Sequence, residues 1–162
     1  MMGDASAGEQ LLELEKVRRH VRILVDLGRA AGETADLNRF LDQAVVQVAR
    51  AVEISHVKVL RYRRREADLL VAAGFGWKEG VVGSATLPSD LRSPPGRSFQ
   101  TADPVYIRNI DEQQDFIISD LLRQHHIVSL VNVPVLTAGA AWGVLEIDST
   151  SPASSVRTQS SF

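Results

Sequence analysis

Few residues in this chain are equipped for chemistry, and their types exclude more than they suggest. Cysteine is absent from all 162 residues. That removes thiol nucleophiles, disulfides, zinc–thiolate sites and cofactors attached through sulfur. His125 and His126 are adjacent near the end of an expected helix. Successive helical residues point about 100° apart, so the two cannot share one metal from a regular helix. Either they are imidazoles placed favourably near a helix C-terminus, or one of them serves as a ligand contact. Asp111, Glu112 and Asp115 stand at the expected start of the same helix, where carboxylates complement the dipole. A hard-cation site would need more oxygen ligands in a convergent loop, and no such motif appears. Gly74-Phe-Gly-Trp-Lys-Glu-Gly80 begins like a dinucleotide fingerprint. Its third glycine is one residue late, and a breaker-rich loop follows it in place of a phosphate-binding helix. Arg61, Arg63, Arg64 and Arg65 mark a hairpin tip that Glu66 and Asp68 partly neutralise, a solvated turn and not a nucleic-acid patch. His20 and His56 have no partner in sequence and are assigned no role. No nucleophile is paired with a base at a persuasive spacing, so the chain is not expected to be an enzyme.

The elements that must position any site follow from periodicity. From Glu9 to about Ala31 the apolar positions Leu14, Val17, Val21, Leu24, Gly28 and Ala31 repeat every three or four residues. This is a seam of about three heptads that could pair with a second copy. A second helix, capped by Thr34 or Asp36, carries the broad stripe Leu37, Phe40, Leu41, Ala44, Val45, Val48, Ala51 and Val52, wide enough to lie on a sheet. His56–Tyr62 alternates like a half-buried strand, Arg63–Asp68 is a turn, and Leu69–Ala73 returns. Leu87–Gly96 holds three prolines and two serines and is expected to be irregular. A short helix over Ser98–Ala102, a strand over Pro104–Arg108 and a helix over Asp111–His126 follow. In that last helix Phe116, Ile117, Leu121 and Leu122 form the buried side. Ile127–Leu136 and Gly143–Ile147 close the chain as a hairpin, and Pro134 demands an edge, a strand end or a bulge. The fold class is α+β with an antiparallel sheet.

Composition bounds the setting. With 44% hydrophobic and 23% charged residues and a net charge of −2, the chain is expected to be globular, without a field drawing it to nucleic acid or membrane. No apolar run approaches the ~20 residues of a membrane span, and the first residues carry no secretory signal. A cytoplasmic location is expected.

Several segments in order resemble the GAF domain family. His56-Val-Lys-Val-Leu-Arg-Tyr62 resembles its first strand and Leu70-Val-Ala-Ala-Gly-Phe-Gly76 its second. Gln100-Thr-Ala-Asp-Pro-Val-Tyr-Ile107 resembles its small helix followed by a proline-led strand. Ile127–Val135 with Trp142-Gly-Val-Leu-Glu-Ile147 resembles its closing strands. The wording of these last strands is most similar to GAF domains at the N-termini of bacterial sensor histidine kinases.

The resemblance implies a central antiparallel sheet of about five or six strands, with N-terminal helices on one face and a loop- and helix-roofed pocket on the other. Residues 1–33 would be a signalling and dimerisation helix, 34–152 the sensory domain, and 153–162 a disordered or truncated tail. The long closing helix of the family is missing, which suggests a fragment. The implied pocket residues are Phe75, Trp77, Arg97, Ser98, Phe99, Tyr106, Phe116, His126, Ser129 and Asn132. Covalent bilin attachment and methionine sulfoxide reduction are disfavoured without cysteine; haem and cyclic nucleotide stay open without support, and the ligand is unknown. The implied role is a regulatory module of a two-component sensor, homodimeric through its first helix. Its output kinase domain would lie outside this chain. A ligand-free dimerisation module is the alternative, and a small-molecule enzyme a remote one.

Overall fold

The computed structural model describes residues 34–152; the seam Leu14–Ala31 and the tail 153–162 lie outside the described residues. Helix α1 (Thr34–Ala51) leads into strands β1 (His56–Arg63), β2 (Asp68–Phe75) and β3 (Thr86–Pro88). Helix α2 (Pro94–Thr101), strand β4 (Val105–Ile107), helix α3 (Asp120–Gln124) and strands β5 (Ser129–Thr137) and β6 (Ala140–Ser149) complete the order. The strands form one antiparallel sheet in the order β3-β2-β1-β6-β5-β4. The expected α+β class therefore holds, with six strands.

Helix α1 buries Leu37, Leu41, Ala44, Val45, Val48 and Ala49. Their helical spacing makes one stripe, which packs on Val57, Val59, Ala73, Val133, Val135, Leu145 and Ile147 of the sheet. The register Val57↔Ile147 and Val59↔Leu145 puts these residues on one face. The residues between them, Lys58, Leu60, Val144, Glu146 and Asp148, must point to the other, because side chains alternate along a strand. That second face is also covered. Two apolar clusters lie on it, one around Leu60, Leu69, Val71, Leu87 and Val144, the other around Val105, Ile107, Ile110, Leu122, Ile127 and Leu130.

The turn between β1 and β2 is closed by a bidentate pair, Arg63 Nε and Nη2 donating to Asp68 Oδ1 and Oδ2 at 2.8 and 2.7 Å. The hydrogen bonds from Arg63 hold the Asp68 carboxyl below its ordinary value. Pro134 is accommodated because β4 pairs with β5 only over Leu130–Asn132. Beyond that point no strand among the described residues pairs with β5 on that side, and a register shift follows at Val135/Leu136.

Three expectations need correction. Most of strand β3 and the first residues of α2 fall inside Leu87–Gly96, the stretch expected to be irregular. Pro94 and Pro95 occupy the first positions of α2, where a missing N–H costs nothing. The helix expected over Asp111–His126 shrinks to Asp120–Gln124. Upstream of it, side chains take the backbone groups a helix would use. Gln113 donates to the Ile110 and Phe116 carbonyls and accepts from Phe116 N–H, Asn109 accepts from Asp111 N–H, and Ile117 N–H reaches the Arg92 carbonyl. Asp111, Glu112 and Asp115 thus stand at no helix start, and Ile117 is 61% exposed, not buried.

Candidate ligand pocket

The centre of the second face is polar. Lys58 of β1 lies opposite Glu146 of β6, which lies opposite Asn132 of β5. Asp148 sits one alternation further along β6. All four are fully buried. Lys58 Nζ donates to Glu146 Oε1 at 2.5 Å and to Asp148 Oδ2 at 2.8 Å, and its ammonium lies 4.2 Å from the centre of the Trp77 ring. Burial opposes the charge on Lys58, but the two carboxylates outweigh it and raise its pKa. Asp148 is pushed well above the usual carboxylate range, first by burial and then by the Glu146 charge. Two carboxyl groups thus share one ammonium in this floor.

The roof is tied down at specific points. Gly76, at φ 90°, turns the chain after β2; a Cβ there would run into the Ser55 carbonyl. The turn brings Trp77 back over the sheet, where its Nε1 donates to the Val57 carbonyl at 2.8 Å. His125 accepts from Lys78 N–H at Nε2 (3.0 Å), so its proton is on Nδ1, which donates to the Leu121 carbonyl (2.9 Å). The ring thereby fastens the 76–80 turn to α3. Trp77 packs edge-on between His56 and His125 at 4.9 and 4.8 Å. Burial, His125 and Lys58 together lower the His56 pKa. On the other side, Ser93 caps α2 by accepting from Gly96 N–H. Gly96 is required because a Cβ would collide with the backbone of Ser89 and Asp90.

Between β3, the start of α2 and α3 lies a pocket of about 90 Å³. Leu87, Pro88, Pro94, Pro95, Ile117 and Leu122 supply its apolar wall, Asp90, Ser93 and Ser119 its polar rim, and Glu146 its inner end. Six buried side-chain polar atoms have no hydrogen-bond partner among the described residues: Glu146 Oε2, Asp148 Oδ1, Asn132 Oδ1 and Nδ2, Ser98 Oγ and Ser119 Oγ. Native interiors leave few such atoms, and here they cluster on and above one patch of sheet. No group of three histidine, aspartate or glutamate side chains that could hold a metal ion occurs among the described residues.

The structure separates the residues expected around the pocket. Ser98 and Asn132 are fully buried and belong to the unpartnered set. Trp77 covers Lys58, and Arg97 lies 4.3 Å over the Phe116 ring in the roof. Phe99 stacks on Tyr62 at 4.4 Å in a neighbouring apolar cluster. Phe75 and Tyr106 are 38% and 45% exposed, and Ser129 donates to the Ser151 carbonyl. Of the histidine pair, His125 is buried and His126 is exposed, at φ 58° just past α3. None of the ten lines the 90 Å³ pocket itself. Sequence reasoning missed the Lys58–Glu146–Asp148 triad. Its signal was present: charges at alternate positions in strands that turn out to be central, and so are covered on both faces.

The comparisons with known proteins agree with this fold. Residues 36–160 match the family model described as the GAF domain. Among solved structures, the GAF domain of a phosphoenolpyruvate-protein phosphotransferase from Acinetobacter is similar at 22% identity and TM-score 0.63, with 93% of this chain and 84% of that chain covered. The free methionine-R-sulfoxide reductase of Neisseria meningitidis, solved with its substrate, shows 21% identity, coverage of 90% and 77%, and TM-score 0.63. The nlh2 GAF domain of A. aeolicus in an inactive state shows 15%, 93%, 86% and 0.63 for the same measures. No curated protein sequence matches significantly.

Proposed function

The chain belongs to the GAF domain family, and on that premise we propose that it is a non-enzymatic sensory module that binds a small molecule on the second face of its sheet. The observation that carries this reading is the group of six unpartnered buried polar atoms beneath a roof of loops and short helices. A ligand reaching Glu146 would complete hydrogen bonds that the protein leaves open, which is how a mostly apolar pocket gains selectivity. The roof is the part that would respond, since it is made of a turn and short helices, with His125 linking the 76–80 turn to α3. A ligand transmits a signal only through its difference in affinity for two arrangements of such elements. The output would lie in another part of the protein, a histidine kinase domain being the context that the closing strands suggest, with dimerisation through the Leu14, Val17, Val21, Leu24, Gly28 and Ala31 seam. The neisserial relative is a reductase; this chain carries no cysteine for such redox chemistry.

A second reading, a ligand-free dimerisation module, draws on Trp77 and Phe116. Both pack inward against the Leu122–Leu130 cluster and fill part of the space. Native mass spectrometry beside the denatured mass separates the two. Excess native mass lost on denaturation supports the sensor, and a bare mass at twice the chain weight supports the dimerisation module.

A further inference from the structure

The pocket is acidic and poor in donors. Its lining holds two carboxylates, Asp90 and Glu146, and no lysine or arginine. Lys58, the nearest buried cation, is spent behind the floor: its N–H groups face Glu146, Asp148 and the Trp77 ring. The start of α2 opens on this pocket, and a helix N-terminus ordinarily offers free N–H groups to an anion. Here it does not. Pro94 and Pro95 have no N–H, Gly96 N–H is taken by Ser93 Oγ, and Arg97 N–H by the Ser93 carbonyl. What remains of the helix dipole is roughly half a positive charge, against the full charge of a buried carboxylate. Arg97 is turned away, donating to the Leu91 carbonyl and covering Phe116. Phosphates and carboxylates thus find no counter-charge and, beyond the Ser93 and Ser119 hydroxyls, no side-chain donor in the lining.

Acceptors, by contrast, wait for a donor. Glu146 Oε2 is buried and unpartnered at the inner end of the pocket, and Ser119 Oγ, which can accept as well as donate, is unpartnered in the same lining. A cation with N–H groups would meet the open carboxylate oxygen, and an apolar body of a few carbons would lie on Leu87, Ile117 and Leu122.

We infer that this pocket takes a small organic ammonium compound, its nitrogen held by Glu146 Oε2 and Ser119 Oγ. The inference rests on the ligand-binding reading given above and adds the charge class of the ligand.

Three probes of equal length test it on the full chain: n-butylammonium, n-butanol and butyrate, each titrated at constant ionic strength and followed by amide NMR. Butylammonium should give saturable shifts at Ser119, Leu122 and Glu146, with butanol roughly tenfold or more weaker and butyrate silent. Glu146→Gln should remove the preference for butylammonium over butanol. Ser119→Ala, which leaves the triad intact, should weaken butylammonium binding by a smaller factor. Butyrate binding best, or butanol binding as well as butylammonium, would overturn the charge class while leaving a ligand pocket. Silence from all three probes would also overturn the inference; the ligand reading itself falls only if the native mass is bare as well.

Discussion

The two faces of one sheet are built on opposite plans from the same strands. Val57 and Val59 point to α1, and Lys58 between them points away; Leu145 and Ile147 point to α1, and Glu146 and Asp148 point away. Both faces are covered, so both sets are buried. The α1 face is apolar throughout and is a core in the ordinary sense. The other surrounds an ion triad with apolar clusters and leaves six polar atoms open. A buried ion triad is seldom the most stable filling of an interior, because desolvation offsets most of the attraction. The difference teaches that one face is core alone, while the other combines core with the candidate site.

The largest effect should come from breaking the triad by one member. Lys58→Met leaves two buried carboxylates without a cation and should cost about 3–5 kcal/mol at neutral pH, read by urea denaturation. Leu41→Ala, on the α1 face, should cost about 2–5 kcal/mol through the cavity it leaves, yet leave the ammonium preference of the opposite pocket unchanged. Equal damage to ligand binding from both substitutions would break the division between the faces.

Smaller effects should follow pH. Asp148 has a folded pKa raised by burial and by Glu146. The folded state therefore holds its proton to higher pH than the unfolded chain. Its contribution is present below the ordinary carboxylate range and lost as pH rises through the raised value. Asp148→Asn should flatten that part of the stability–pH curve and leave the protein as stable as the parent or more so near neutrality. His56 has the opposite sign: its lowered pKa means stability present above about pH 6.5 and lost as pH falls towards the lowered value. His56→Gln should remove that loss, seen as thermal midpoints that no longer drop over the histidine range.

The legible parts of the fold were those where one periodicity ruled. The stripe from Leu37 to Val48 set α1, and the alternation of His56–Tyr62 set β1. The apolar runs around Pro134 and Gly143 set the last hairpin, with the proline irregularity placed where β4 no longer reaches. The loss of helix over 111–119 was not legible, because Gln113 and Asn109 capture backbone groups that apolar spacing alone assigns to a helix. Strand β3 was hidden in a proline-rich stretch whose prolines serve a strand end and a helix start. Of the buried polar patch and its roof, only Ser98, Asn132, Trp77, Arg97 and Phe116 stood among the residues expected around a pocket. Lys58, Glu146 and Asp148 read as the solvent side of alternating strands; only tertiary structure, by laying α2 and α3 over that side, turns them into a buried floor.

The most direct test is to make the second face resemble the first. Urea denaturation at neutral pH would compare the parent chain with the triple variant Lys58→Met, Glu146→Leu, Asp148→Val. If the triad is kept for binding and not for folding, the variant should be as stable as the parent or more stable by about 1–4 kcal/mol. A loss of several kcal/mol in a variant that still folds would contradict the account and make the triad part of the core.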